Sequence, residues 1–360
     1  MKKVKIVCVA RDISPTRALT ALSKELISLG HECDLYVGEG NGGQNLSPPE
    51  FPPCNAFMED SIRDAVLILV GMSSSPELSL RELRALEKAE SCGKKYGMFS
   101  DSRSCWQGRV WFNRFKPGAD LLFVTTDEEV TSARKQFPKA VIVATSHPSH
   151  EGEDQPKFNR GEARKIFGTA ANEWAVCLFG SKNEILNMEL LNCVKQALSM
   201  LYIADPRLKI IYGPHPGDRV GRDKSWQFYK SVLPEAEIMD PSNVKMSQCL
   251  LGADLVLTVS SNVILECAYG RIPVVGLLTP EAVKMRGLDF GCLGFPEEEQ
   301  QGIVKIVKYP EELAEDIFRR LLNCDRFPEI RSAQRANYPA RPDTGKSVRL
   351  MVMAINGLLG

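Results

Sequence analysis

Short apolar runs rich in β-branched residues alternate along the whole chain with segments whose apolar positions recur at helical spacing. VKIVCVA (4–10) predicts a strand. SPTRALTALSKELISLG (14–30) predicts a helix capped by Ser14, with Pro15 in its first turn and Gly30 past its end. CDLYVG (33–38), the continuous apolar AVLILVGM (65–72), KYGMFS (95–100), DLLFVTT (120–126) and AVIVAT (140–145) continue the strand series, with helices over 75–93 and 127–137. Residues 39–60 are turn-rich and read as a long loop. SHPSHEGEDQPKFN (146–159) is polar, acidic and broken by prolines and a glycine, and reads as a linker.

Beyond the linker the alternation restarts. Helices are predicted over 160–168, 184–202, 243–253, 261–270, 310–324 and 345–359, and strands over 174–181, 208–213, 237–240, 254–260 and 272–278. Alternation of this kind makes parallel sheets with helices on both faces. The fold class is therefore α/β, with two Rossmann-like domains and a cleft between them: residues 1–150, and a second domain from 151 on. In open sheets of this type ligands sit at the carboxyl ends of the strands, so chemistry is to be sought there.

Composition narrows the partners. The chain has 360 residues, 44% hydrophobic and 25% charged, with a formal net charge of zero. No global basic field draws nucleic acid or anionic lipid. The 11 cysteines are scattered with no CxxC pair, which fits a reducing compartment rather than a disulfide framework or zinc site. The first apolar run is interrupted by Lys5 and ends at Arg11-Asp12 without a small-residue cleavage site, unlike a signal peptide. No apolar stretch approaches the ~20 residues that span a bilayer. The expected location is cytoplasmic, with a peripheral membrane contact left open.

Three strand ends in the second domain carry unusual residues. In FGSKNE (179–184) they are Gly180 and Ser181. In GPHPGDR (213–219) His215 can donate to a phosphate oxygen, Pro214 and Pro216 stiffen the loop, and Gly213 and Gly217 let backbone approach a ligand. The alternative is a rigid surface turn with a spectator histidine. In TVSSNVILECA (258–268), Ser260 and Ser261 fall where a strand becomes a helix, and the N–H groups of Asn262 and its successors suit an anion. A serine satisfying only its own helix is the competing reading. Glu266, one turn on, can accept from ribose hydroxyls or lie on a solvated face. His147, His150 and Glu151 are close enough to suggest a metal, but Pro148 opposes helical placement, so no metal site is expected.

Other chemistries lack their motifs. The loop after the first strand, ARDISPTRA, has no glycine and disfavours a dinucleotide cofactor. DTGKSV (343–348) lacks the upstream glycine and strand of a P-loop. No DxD pair signals a metal-bridged diphosphate.

GPHPGD, followed by ADLVLTVSSNVILECAYGRIPVVG, resembles the GT-B glycosyltransferases and relatives with a His-Pro and a Ser-Ser motif, notably bacterial sialyltransferase-like and capsule or lipopolysaccharide sugar transferases. ALTALSKELISLGHECDLYVGEG and the run into SHPSHE are similar to the first helix, second strand and hinge of that superfamily. The resemblance implies a metal-independent transferase moving a sugar from a nucleotide-sugar donor to a sugar or lipid-linked acceptor, with no separate cofactor. It implies a donor domain over 151–342 and a C-terminal helix, 343–360, crossing back to the acceptor domain. His215 would contact the phosphate nearest the leaving group, Ser260 and Ser261 the same or the adjacent phosphate, and Glu266 the ribose. Asp12 would be the general base, with Asp101 and Glu39 behind it. The glycine-rich first loop and the acidic-acidic-glycine motif are absent near Asp12. A nucleotide-sugar 2-epimerase of the same fold and a non-catalytic nucleotide-binding protein are the alternatives.

Overall fold

The computed structural model describes residues 3–37, 58–148, 151, 158–201, 207–215, 218, 228–240, 243, 246–259, 263–284, 299–341 and 343–360. Those up to Glu151 and from Asp343 on form one compact unit, and those from Phe158 to Arg341 form a second.

The first unit is built on β1 (Lys5–Ala10), β2 (Glu32–Val37), β3 (Leu67–Gly71), β4 (Lys95–Phe99), β5 (Leu121–Val124) and β6 (Val141–Ala144). They form one parallel sheet in the order β2-β1-β3-β4-β5-β6. β3 is buried throughout, as an apolar strand covered on both faces must be, whereas the edge strand β6 is half-exposed. The helices are α1 (Ile13–Ser28), α2 (Met58–Asp64), α3 (Pro76–Ser91), α4 (Cys105–Gly108) and α5 (Asp127–Ala133).

The second unit carries β7 (Trp174–Phe179), β8 (Leu208–Gly213), β9 (Glu237–Ile238), β10 (Leu255–Thr258), β11 (Val274–Leu277) and β12 (Lys305–Val307). Their order is β12-β11-β10-β7-β8-β9, again all parallel. Its helices are α6 (Arg160–Ile166), α7 (Glu184–Met200), α8 (Phe228–Val232), α9 (Val263–Gly270), α10 and α11 (Pro328–Asn337). α10 joins Pro310–Glu312, a π-helical Leu313–Phe318 and Arg319–Leu322. No described helix is long and apolar enough to cross a membrane.

The last helix, α12 (Lys346–Leu359), packs on the first unit, as the resemblance implied. Val348, Met351, Val352 and Ile355 repeat at helical spacing and join Ala18, Leu19 and Leu22 of α1 in one apolar cluster. Its N-cap is Gly345 at φ 77°, which offers no side chain. Glu151 supplies the cap instead, accepting the N–H groups of Gly345 (2.7 Å) and Ser347.

Several expectations need correction. The N-cap of α1 is Asp12, not Ser14, whose hydroxyl lies 3.1 Å from His147 Nε2. The predicted linker is in part a fixed element, because His147 and Glu151 are buried. The helix expected over 243–253 is a 3₁₀ segment, Met246–Gly252. α2, α4, α8, β12 and α11 were not anticipated. The predicted loop 39–60 lies outside the described residues up to 57; the rest begins α2.

At the end of β7 a glycine is enforced by packing. Tyr212 of β8 sits opposite Leu178, and a Cβ on Gly180 would lie 2.6 Å from its hydroxyl and 3.2 Å from the His215 backbone nitrogen. The Tyr212 ring meets the Tyr229 ring edge-on at 5.0 Å between centroids, and its buried hydroxyl makes no hydrogen bond of good geometry among the described residues.

Two outcomes follow for stability. Glu151→Ala should cost about 1–3 kcal/mol, since it strips two helix N–H groups of their acceptor, and Glu151→Gln should cost less; urea unfolding reads both. Gly180→Ala should cost about 1–3 kcal/mol by overpacking. Tyr212→Phe should be nearly neutral alone and should recover most of that loss in the double variant, read as a double-mutant cycle. An equal loss in both backgrounds would place the strain at His215 instead.

Candidate functional site

Strand order reverses at one place in each sheet, between β7 and β10 in the second unit and between β1 and β3 in the first. Loops that leave neighbouring strands in opposite directions open a crevice there, which is where ligands bind in open α/β sheets.

In the second unit, Gly180 N–H extends the ladder by one bond to Gly213 O (3.0 Å). The chain then turns at Ser181, held on both sides by one side chain. Ser181 N–H donates to Asn187 Oδ1 (2.6 Å), and Asn187 Nδ2 donates to Ser181 O (3.0 Å). Asn187 is fully buried on the first turns of α7. Asn183 caps that helix through Ile185 N–H (2.9 Å), and its own N–H donates to Ser181 Oγ (3.2 Å).

Asn187 Nδ2 also donates to Asp218 Oδ2 (2.9 Å), which accepts the Tyr229 hydroxyl as well. Burial, and then the hydrogen bond to Asp218, push the Tyr229 phenol pKa up, so it stays a donor. Asp218 N–H closes on His215 O (2.9 Å). The structure thus brings Gly180, Ser181 and His215 together on one edge, with Asn187 joining the turn after β7 to the loop after β8. His215 is half-buried, and its Pro214 neighbour is buried.

Pro216, Ser260, Ser261 and Asn262 lie outside the described residues. Glu266 is on α9, where its Oε2 takes the Arg341 guanidinium at 2.7 Å. Arg341 in turn lies 5.0 Å over the Tyr269 ring. Glu266 is therefore not a solvated face residue.

In the first unit, Asp12 follows β1 and Ser73-Ser74 follow β3. Asp12 N–H donates to Ser73 Oγ (3.1 Å), and Ser74 N–H donates to Asp12 Oδ2 (2.9 Å). Behind them Glu82 of α3, fully buried, accepts Ser73 Oγ–H (2.7 Å) and Ser73 N–H (3.1 Å). Burial, with the Asp12 charge adding to it, pushes the Glu82 pKa up to about 8 against the hydrogen bonds from Ser73. Asp101, the second candidate base, follows β4 and accepts the Cys105 thiol (3.5 Å). Burial, with Asp101 beside it, pushes the Cys105 pKa up. Glu39 lies outside the described residues. Among the described residues no group of three His, Cys, Asp or Glu could hold a metal ion.

Asn187, Asp218, Tyr229 and Glu82 were missed from sequence. A usable signal existed for two of them. Asn187 falls among the buried Leu186, Leu190, Leu191 and Val194 of its helix, and Glu82 among Ser79, Ala85, Leu86 and Ala89. A long polar side chain on a buried helix face needs a buried partner.

No protein-family model matches the sequence, and no curated protein matches it. Solved structures match along its length. A UDP-GlcNAc 2-epimerase from Neisseria meningitidis bound to UDP-GlcNAc is 14% identical, with a TM-score of 0.63 over 98% of this chain and 100% of that one. A glycosyltransferase from Rickettsia africae is 12% identical, with a TM-score of 0.62 over 100% and 99%. Sucrose-phosphate synthase from Thermosynechococcus elongatus is 13% identical, with a TM-score of 0.58 over 99% and 99%. At these identities the likeness is one of fold: two Rossmann-type units in a GT-B-like chain, an architecture these enzymes share.

Proposed function

We propose that this chain is a glycosyltransferase that binds a nucleotide sugar at the β7/β10 switch point and transfers its sugar to an acceptor hydroxyl. The observation that carries the reading is the convergence of Gly180, Ser181 and His215 on one strand edge, locked by Asn187 and Asp218. A backbone so fixed presents its donors without reorganisation when an anion arrives. Pro216, Ser260, Ser261 and Asn262 belong to the same donor site in this reading. No described residue bonds Glu266 Oε1, so that oxygen serves the ribose while Oε2 keeps Arg341. The leaving phosphate is met by N–H groups, hydroxyls and imidazole rather than by a cation, and no separate cofactor is used.

In this proposal the first unit receives a sugar or lipid-linked acceptor, and Asp12 takes the proton of the attacking hydroxyl. The setting is cytoplasmic, in bacterial surface polysaccharide or glycoconjugate synthesis. The finer likeness to sialyltransferase-like and capsule or lipopolysaccharide enzymes rests on the sequence motifs alone. A second reading, nucleotide-sugar 2-epimerase, is favoured by the fold shared with the Neisseria enzyme along 98% of the chain. It uses the same donor site and no acceptor.

A thermal-shift series with UDP, CMP, GDP and their sugars tests the site, because a ligand of the native state raises the midpoint by mass action. At least one nucleotide should stabilise the wild type, and His215→Ala should weaken its binding at least about tenfold, the scale of one charge-assisted hydrogen bond. No shift with any nucleotide overturns the reading. Incubating the chain with UDP-GlcNAc and no acceptor then separates the two activities: a 2-epimer in the NMR spectrum means epimerase, and nucleotide release only on adding an acceptor means transferase.

A further inference from the structure

The first unit has a carboxyl group that the proposed function does not use. Glu82 sits beneath the β1/β3 switch point with no exposed surface. Its oxygens accept the Ser73 Oγ–H and N–H from the β3 side, and the β1 side joins through Asp12 N–H, which donates to the same Ser73 Oγ. Ser73 and Ser74 in turn hold Asp12 by its N–H and its Oδ2. Two diverging loops are thus stitched through Ser73 and Ser74, with Glu82 holding Ser73 from behind, and the stitch ends on the candidate base.

We infer that Glu82 is a positioning residue for Asp12, acting through Ser73 and Ser74 to fix that carboxylate, itself buried, at the carboxyl end of β1. The inference rests on the reading of Asp12 as the group that meets the acceptor hydroxyl. The surroundings make the stitch sensitive to ionisation. Facing Glu82 from the β1–α1 loop are Asp12 and the Arg11 main chain; the Arg11 guanidinium turns to Glu77 O (3.4 Å). From β3 and α1 come Gly71 and Pro15, which carry no charge; a Cβ on Gly71 would lie 3.1 Å from Glu82 Oε1. α2 meets α3 at Lys88, paired with Glu59 (3.8 Å), and β4 supplies Met98 to the cluster of Ala85 and Leu86. The turn Val110–Phe112 reaches α3 through Trp111, whose indole N–H donates to Ser79 Oγ (2.9 Å), with Arg109 5.8 Å over the ring.

Among these groups the nearest charge to Glu82 is the like charge of Asp12. A neutral Glu82 donates its proton to Ser73 Oγ and leaves the seam with one negative charge. An ionised Glu82 commits the Ser73 hydroxyl proton to itself and sets a second negative charge against Asp12, which loosens the seam. Because its pKa lies at about 8, that change falls just above neutral pH.

The experiment follows the Asp12 carboxyl by carbon-13 NMR in aspartate-labelled full-length protein, the resonance being assigned by its loss in Asp12→Asn. In the wild type the Asp12 resonance should show an inflection near pH 8, and Glu82→Gln, which keeps the neutral shape and cannot ionise, should abolish it. In urea unfolding, the folding equilibrium of the wild type relative to Glu82→Gln should fall up to tenfold per pH unit as pH rises from about 4.5 to about 8, because the unfolded chain gives up a proton that the folded chain keeps. An Asp12 inflection that survives in Glu82→Gln, or a stability difference that ignores pH, overturns the inference. Turnover of a nucleotide sugar should show a falling limb near pH 8 that Glu82→Gln removes, and Ser73→Ala should lower kcat about tenfold with its unfolding midpoint kept. A limb unchanged in Glu82→Gln also overturns it. If the NMR coupling is found and no nucleotide sugar is turned over, the proposed function fails and the Glu82–Asp12 link stands.

Discussion

In a sheet whose strands all run one way, each strand passes its chain to a helix that lies on one face or the other. Where strand order reverses, neighbouring loops depart in opposite directions and their main-chain N–H groups lose each other as partners. The reversals between β1 and β3 and between β7 and β10 impose this on both units. Two buried polar side chains hold such loops, Glu82 at the β1/β3 reversal and Asn187 between the loops after β7 and β8, beside the β7/β10 reversal, because a backbone group left without a partner costs as much as a lost hydrogen bond. Asn187 meets the main chain of Ser181 with its whole amide, and Glu82 meets that of Ser73 with its carboxyl.

Buried polar groups of this kind are favourable only when fully satisfied. Glu129, fully buried on α5, shows how far that goes: it accepts from Ser104 N–H, Trp106 Nε1, and both the N–H and hydroxyl of Thr125. It ties the segment after β4 to the end of β5, and so holds the backbone that leads away from Asp101. Tyr212 is the contrary case. Its ring fills the space a glycine leaves, while its hydroxyl makes no hydrogen bond of good geometry among the described residues. There, packing outweighs polar satisfaction.

Much of this architecture was legible from the chain because buried parallel strands have to be apolar on both faces. Runs such as AVLILVGM leave no other reading. The 3₁₀ segment Met246–Gly252 was misread as an α-helix because an apolar pattern that short does not separate periods of 3.0 and 3.6. α11 was missed because it buries little, with Ile330 and Gln334 its buried positions. Gly180, Ser181 and His215 were placed at strand ends from the sequence, and the structure has them there, since strand ends are visible in a sequence. Asn187, Asp218 and Tyr229 were not, because their meaning lies in bonds to residues far along the chain. The division between the two units falls inside the expected linker, but Glu151 within it reads as a solvated charge until Gly345, which cannot cap its own helix, is brought to it.

The two seams differ in what holds them, and the difference bears on chemistry. At the second unit's edge the element that grips the Ser181 backbone is an amide, which carries no charge and does not titrate. A cradle for a permanent anion is best served by such a support, because its donors must point the same way at every pH. At the first unit's edge the gripping group is a carboxyl whose proton is held to about pH 8, one serine away from Asp12. A support that itself exchanges a proton would be a liability beside a phosphate. In the proposed reading it lies behind the loop that carries a proton acceptor, and its own change of state is felt there through Ser73. In the proposed reading, the amide suits the half that would grip a ligand, and the acid suits the half that would handle a proton.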